Sequence, residues 1–121
     1  MSEALKPMTA PVVEEHNIIE NGPMTVEMRT ENCGLFQLGG GIGRFNQTGA
    51  TEPWRLPYEE VLYTLSGRLR LRFGDEVLEA GPGEVVTIPK GVEVVYEGEA
   101  GTSAFFAITP SDWAEESSDG R

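Results

Sequence analysis

Histidine and cysteine, the side chains that most often hold metals or act as nucleophiles, each occur once in the 121-residue chain, as His16 and Cys33. A zinc site of the Cys/His type and a centre built from several histidines both need more of these residues, so both are excluded. A single cysteine also excludes an intramolecular disulfide. With no histidine beside it in the sequence, Cys33 is interpreted as an inert buried thiol, and His16 as a surface or dimer-contact residue.

Two further patterns are typical of ligand sites but favour structural interpretations here. The glycine run at 39–43 lacks the third glycine of the G-x-G-x-x-G nucleotide loop, since Arg44 stands in its place, and no helix is predicted after it. We interpret the run as a bent strand at a barrel corner. Arg68, Arg70 and Arg72 alternate with apolar residues, which predicts a solvated sheet face whose arginines pair with acidic neighbours.

Composition and charge narrow the class of protein. The length of 121 residues allows one domain. A composition of 39% hydrophobic and 24% charged residues is typical of a soluble globular protein. Nine Lys and Arg against twenty Asp and Glu give a net charge of −11, which argues against nucleic acids and anionic membranes as partners. The sequence has neither a membrane-length apolar run nor the pattern of a signal peptide, so we expect a cytoplasmic protein.

Short β-rich runs separated by Gly and Pro turns predict an all-β chain, arranged as an antiparallel sandwich or barrel. Gly74-Asp75 predicts a two-residue hairpin with a type II′ turn. Residues 1–22 predict an extended N-terminal arm that could include one short strand, 23–113 the barrel domain, and 114–121 a flexible tail. The predicted strands occupy 26–30, 35–38 continuing into the glycine run, 58–65, 68–73, 76–79, 84–88, 92–97 and 102–109.

The stretch from 49 to 110 resembles the cupin superfamily. Glu60 stands seven residues before Gly67, as in the second half of the superfamily's first motif. Gly83, Pro89 and Gly91 fit the G(X)5PXG pattern that opens the second motif. The resemblance implies a single-domain cupin jelly-roll barrel, also called a double-stranded β-helix, with an extended N-terminal arm. This fold agrees with the strand pattern.

The resemblance also bears on metal binding, because most cupins hold a divalent metal with an HxH pair before the Glu and a later histidine. Here the early positions hold Pro53 and Arg55 (residues 54 and 56 in the other spacing), and the late position holds Val94. Of the usual ligands only Glu60 is retained. One carboxylate does not make a transition-metal site, which needs three or four ligands. We therefore expect no metal and no cofactor.

Three segments resemble the ethanolamine-utilisation protein Q group, whose cupin domain also lacks the histidines. They are WRLPYEE at 54–60, IPKG at 88–91 and FFAITPSDW at 105–113. Members of the group sit among proteins of bacterial amino-alcohol catabolism associated with microcompartments, and an acetate kinase activity has been attributed to it. The resemblance implies an accessory protein of such a pathway, acting in assembly or as an acetate kinase, with pathway or microcompartment proteins as partners.

A possible site lies inside the barrel, around Glu60. The strand period places Leu62 and Thr64 on the same inner face as Glu60, and the resemblance places Val94 and Tyr96 there as well. A carboxyl that loses its hydration in such a place has a raised pKa, which is the condition for a general acid or base near neutral pH. The sequence therefore predicts acid/base chemistry at Glu60.

We predict Glu60, Tyr96 and Tyr58 as catalytic residues, the two tyrosines as hydroxyl donors to a developing oxyanion. The predicted substrate-binding residues are Arg55, Thr64, Trp54 and Val94. Of these, Arg55 could clamp a carboxylate or phosphate by two parallel hydrogen bonds. For Trp54 and Trp113, packing in the core or a lid is favoured over a role as stacking platforms.

Two functions remain open. One is a metal-independent cupin that binds a small metabolite and acts as an acid/base isomerase or lyase on a small carbonyl or carboxylate compound. The other is the accessory protein or acetate kinase that the resemblance implies. In a structural alternative, Glu60 is held by Arg55 or by backbone N–H groups in a filled barrel. A homodimer is expected, because sheet edges need cover.

Overall fold

Eleven β-strands in two main antiparallel sheets make up the computed structural model, which describes residues 6–10 and 15–113. A 3-10 turn at Glu15–Asn17 precedes the first strand. The all-β prediction is confirmed. The strands are β1 (Ile18–Asn21), β2 (Met24–Met28), β3 (Gly39–Phe45), β4 (Gly49–Ala50), β5 (Trp54–Arg55), β6 (Glu59–Ser66), β7 (Leu69–Phe73), β8 (Glu76–Ala80), β9 (Val85–Ile88), β10 (Glu93–Gly98) and β11 (Ser103–Thr109).

The two sheets form the predicted jelly roll. One sheet has six strands in the order β1-β2-β3-β11-β6-β9, and the other has the order β4-β10-β7-β8, with β5 also paired to β10. Apolar side chains from both sheets meet between them and form one core. Its larger members include Phe45, Leu62, Leu71, Val86, Val94, Phe106 and Ile108.

Strand β6 shows how the sequence sets the inner and outer faces of the barrel. Successive side chains of a strand point to opposite sides. Glu60, Leu62 and Thr64 are accordingly buried, while residues 59, 61, 63 and 65 between them are exposed. The predicted inner face of this strand is confirmed.

The predicted homodimer stays a prediction.

Arg70 and Arg72 on β7, and Arg68 just before this strand, lie outside the barrel and pair with acidic residues, as predicted. Arg68 and Arg70 contact Glu79 on β8 at 3.3 and 3.7 Å. Arg70 and Arg72 contact Glu97 on β10 at 3.3 and 2.6 Å. These pairs cross to the strands on both sides of β7. These ion pairs favour the observed order of the neighbouring strands. Because they are partly open to water, each pair adds little to the free energy of unfolding.

The hairpin between β7 and β8 is also confirmed. Phe73 faces Glu76 across a two-residue loop. Gly74 has a φ of 59°, which a type II′ turn requires at its first central position. The only non-glycine residue with positive φ in the described part of the chain is Asn32, so Asp75 does not need the left-handed region.

The glycine run forms an inner strand of the sheet rather than a loop. Strand β3 begins at Gly39 and lies between β2 and β11. The prediction that the strand starts at Leu35 is wrong: residues 35–38 form bends and a loop, and Leu35, Phe36 and Leu38 are exposed. These residues have no ladder partner, and their sequence lacks the alternation of a half-buried strand.

The N-terminal region contains the short strand that the sequence allowed. Strand β1 pairs with β2, with Ile18 opposite Glu27 and Asn21 opposite Met24, and so extends the six-stranded sheet. The proposed division of the chain at residues 22 and 113 stays a prediction, and the tail at 114–121 lies outside the described residues. Within the described ranges there is no helical segment with the length and apolar character of a membrane span.

The tight packing of β3 against β2 gives a testable prediction. A Cβ added at Gly41 would collide with the backbone carbonyl oxygen of Glu27, whereas one at Gly43 would meet only the terminal methyl of Met24, at 3.0 Å. Because backbone cannot move aside as a flexible side chain can, we expect Gly41→Ala to lower the free energy of unfolding by about 1–3 kcal/mol. Gly43→Ala is the matched control and should cost less. Equal losses in urea denaturation would contradict this account.

Candidate functional site

The barrel is hollow. A cavity of about 360 Å³ lies between the two sheets and opens beside β1 and the segment that leads into β5. Its wall is mainly apolar and aromatic, with a few polar groups. The lining includes Ile19, Glu20, Asn21, Met24, Val26, Met28, Phe45, Glu52, Pro53, Trp54, Tyr58, Glu60, Leu62, Leu69, Tyr96, Phe106, Ile108 and Trp113. A volume of this size suits a small metabolite.

Glu60 is the buried charged group of this wall. Strand β6 points its side chain inward, and the residue is only 9% exposed. The Tyr96 hydroxyl, on β10 in the opposite sheet, donates a hydrogen bond to Glu60 Oε1 at 2.6 Å. Burial removes water from the carboxylate and raises the pKa of Glu60 to about 7, although the bond from Tyr96 acts in the other direction. Glu60 therefore titrates near neutral pH.

Tyr96 and Tyr58 stay protonated beside this carboxyl. Burial, reinforced by the charge of Glu60, raises the pKa of Tyr58 to about 12. The same two causes, in the same order, raise the pKa of Tyr96 above its ordinary value. Both phenols are therefore neutral hydrogen-bond donors at physiological pH.

Three aromatic rings form one side of the cavity. Trp54 Nε1 donates a hydrogen bond to the Tyr58 hydroxyl oxygen at 3.2 Å. Trp113 packs edge to face on both, with ring centroids 5.6 Å from Trp54 and 5.5 Å from Tyr58. Since the Tyr58 oxygen accepts from Trp54, its own O–H remains available to a ligand. Packing and cavity lining, which the sequence left as alternatives for Trp54, are thus combined.

The remaining predicted substrate-binding residues lie away from the cavity. Arg55 follows Trp54 on β5 and points outward, where it donates to the Gly91 carbonyl oxygen at 2.6 Å and lies 3.8 Å from Glu93. It does not hold Glu60; Tyr96 does. Thr64 and Val94 are buried in the core, at 1% and 2% exposure, and are not among the lining residues.

Two acidic lining residues were missed by the sequence analysis. Glu20 lies on β1, inside the segment interpreted as an arm, and Glu52 lies between β4 and β5. Both are exposed, at the mouth of the cavity. The sequence analysis allowed one short strand within the N-terminal arm, and this was the signal that could have led to Glu20. Cys33 lies in a turn and is half-buried, and His16 is exposed.

The cavity does not fit the metal that most cupins bind. In the described ranges there is no group of three His, Cys, Asp or Glu side chains that could hold a metal ion. Glu60 is surrounded instead by phenols, indoles and aliphatic side chains. Because transition-metal sites need three or four such ligands, we derive no step through a metal.

The fold of the chain is that of a cupin barrel. It superposes on a Cupin 2 conserved barrel domain protein from Salinispora arenicola CNS-205 with a TM-score of 0.71, at 10% identity, over 96% of this chain and 100% of that one. More specifically, residues 8–115 match the family described as ethanolamine utilisation protein EutQ, and the chain belongs to that family.

A named relative and a solved structure, both from C. difficile, are similar to the chain. A protein of Clostridioides difficile strain 630 named acetate kinase EutQ is 28% identical over 76 residues, which are 63% of this chain and 48% of that protein. The match thus spans about half the length of that relative. The solved structure of the Clostridium difficile EutQ protein has a TM-score of 0.74 and 22% identity, covering 88% of this chain and 79% of that one.

The pKa of Glu60 predicts a pH-dependent stability. Because burial raises it from 4.5 to about 7, the folded chain binds more protons than the unfolded chain between these pH values. The free energy of unfolding should therefore fall as pH rises through this window, by up to about 3 kcal/mol from this group alone. Glu60→Gln removes the titration, so urea denaturation should show the variant gaining on the wild type between pH 5 and pH 8.

Glu59→Gln is the control for this comparison. Glu59 is the neighbouring residue on β6 and points to solvent, so its substitution should leave the pH dependence of stability as in the wild type. If the free energies of unfolding of wild type and Glu60→Gln differ by the same amount at every pH in the window, Glu60 is hydrated and its pKa is not raised, which would contradict the prediction.

Proposed function

We propose that the chain is a metal-independent cupin that binds a small carbonyl compound in its barrel and moves a proton on it with Glu60. The observation that carries this proposal is the buried Glu60 carboxyl facing a cavity of about 360 Å³, with one oxygen held by Tyr96 at 2.6 Å. A pKa of about 7 lets the same group take up and return a proton under physiological conditions.

The proposed chemistry is enolisation. Glu60 in its ionised form takes a proton from the carbon next to the carbonyl group, that C–H electron pair becomes a C=C bond, and the carbonyl π pair moves onto oxygen. The free O–H of Tyr58 donates to this developing oxyanion. In an α-hydroxy carbonyl compound, the α-hydroxyl proton then moves to the former carbonyl oxygen, and return of the carbon-bound proton from Glu60 to the former carbonyl carbon gives the isomer with the new C=O at the α-carbon. Where the β-carbon bears a leaving group, that group departs with its bonding electron pair as the C=O re-forms, which is a lyase reaction. No other reactant is needed.

Tyr96 is a positioning residue in this proposal. Its proton is committed to Glu60 Oε1, which leaves Oε2 for the substrate. No second side chain of the described ranges bonds to Glu60. The Tyr96 bond also limits how far burial raises the pKa of Glu60.

The charges of the wall favour a carbonyl compound over a carboxylate or phosphate. The charged lining residues are Glu20, Glu52 and Glu60, which repel anions. The same repulsion acts on the phosphate groups of a phosphoryl donor, so we place no kinase step in this cavity.

The accessory or assembly role stays a prediction. The name of the family links it to ethanolamine utilisation, and we propose the same metabolic context for this chain.

Proton exchange tests the proposal without knowledge of the natural substrate. Butanone, cyclohexanone and dihydroxyacetone, incubated with the protein in D2O, should exchange their α-protons faster than in buffer for at least one probe, as followed by proton NMR. Glu60→Gln should lower the protein-dependent rate by about 10²-fold or more, because it removes the base. Tyr58→Phe should lower it by about 10²-fold, because it removes the oxyanion donor.

The solvent-facing Glu59→Gln is again the matched control and should exchange at the wild-type rate. Protein-dependent exchange that survives in Glu60→Gln would contradict the assignment of Glu60 as the base.

A further inference from the structure

The charged groups around the cavity are of one sign. Glu20 and Glu52 stand at its mouth and Glu60 lies within. The Lys and Arg residues of the described ranges all lie away from its wall. In a low-dielectric cavity, an unbalanced carboxylate is costly unless a partner compensates it. A positively charged ligand would supply that compensation.

The aromatic side of the cavity adds a second, independent feature. Trp113 packs on Trp54 and on Tyr58, with ring centroids 5.6 and 5.5 Å apart, and all three side chains contribute to the wall. They are half-buried, between the exposed acids of the mouth and the buried Glu60. Rings of this kind attract ammonium groups through their electron-rich faces, most strongly where water is excluded.

From these two features we infer that the ligand of the barrel carries an organic ammonium group, seated against the aromatic wall of Trp54, Tyr58 and Trp113 and compensated by the carboxylates of the wall. This inference rests on the proposed function in using the same cavity as the ligand site, and it adds the charge class of the substrate. Aliphatic lining from Met24 and Val26 suits the carbon atoms that such a group bears.

Binding of a cation would also change the state of Glu60. A positive charge close to a carboxyl favours its ionised form and lowers its pKa. The titratable groups that line the cavity with Glu60 are Tyr96 and Tyr58, both neutral, and the two acids of the mouth. An ammonium substrate would thus convert Glu60 into the base that enolisation needs.

Three probes of almost identical shape test the charge of the ligand. Choline, its neutral carbon analogue 3,3-dimethylbutan-1-ol and the anion 3,3-dimethylbutanoate are titrated into the full chain at pH 8, with tryptophan fluorescence and calorimetry as readouts. We expect choline to bind at least about tenfold more tightly than the alcohol, and the butanoate to bind weakest. Binding of the alcohol as tight as that of choline would overturn the inference.

The pH dependence identifies the carboxylate responsible. With a pKa of about 7, Glu60 is largely ionised at pH 8 and largely protonated at pH 6. Choline affinity should therefore fall by about tenfold between these pH values, while the affinity of the alcohol changes little. Glu60→Gln should lower choline affinity at pH 8 and abolish this pH dependence, and Glu59→Gln should change neither.

Glu52→Gln provides a second variant at an exposed position, where a folding defect is not expected. It should weaken choline binding relative to the alcohol but keep the pH dependence. Unchanged selectivity in both Glu60→Gln and Glu52→Gln would overturn the inference.

The two proposals can fail separately. Preference for choline without any α-proton exchange of the ketone probes would contradict the enolisation chemistry and support an ammonium site. Exchange that depends on Glu60, without preference for choline over its neutral analogue, would support the chemistry and overturn the ammonium site.

Discussion

The hydrogen bond from Tyr96 to Glu60 is the interaction on which the rest of the site depends. It joins β6 of one sheet to β10 of the other across the interior of the barrel, through a contact of 2.6 Å. A buried carboxyl with only one such bond is poorly compensated for lost hydration. Its pKa therefore moves to about 7, and the group can exchange protons with a ligand. Burial of Glu60 therefore lowers the free energy of unfolding at neutral pH, while the same burial gives the carboxyl the pKa that the proposed chemistry needs.

The charged side chains of β7, on the outside of the barrel, have partners of opposite charge, unlike Glu60. There the arginines of β7 are matched by Glu79 and Glu97, so that charges of both signs are paired and open to water. Two carboxylates at the mouth and one inside, with no basic side chain among the described lining residues, give the cavity a negative character that a packed structural core would not need.

Period-two patterns in the sequence predicted most of the fold and the centre of the site. They placed Glu60 inward on β6 and the arginines outward on β7, and the turn residues Gly74-Asp75 placed the hairpin. The rest depended on contacts that no local pattern contains. Strand β5 has two residues, Trp54 and Arg55, and its pleat allows only one of them to face the cavity, so the pair could not both bind substrate. Glu52 reaches the mouth because β4 and β5 on either side of it pair with the distant β10, and Glu20 because the hairpin of β1 and β2 joins the sheet beside β3.

The most direct measurement of the central claim is the pKa of Glu60 itself, from a ¹³C NMR titration of its side-chain carboxyl. The account predicts a midpoint of about 7, well above that of a solvated glutamate, and a further rise in Tyr96→Phe, because the bond that favours the ionised form is lost. A midpoint near the ordinary 4.5, unchanged by that substitution, would show a hydrated carboxylate with no special partner and would contradict the account.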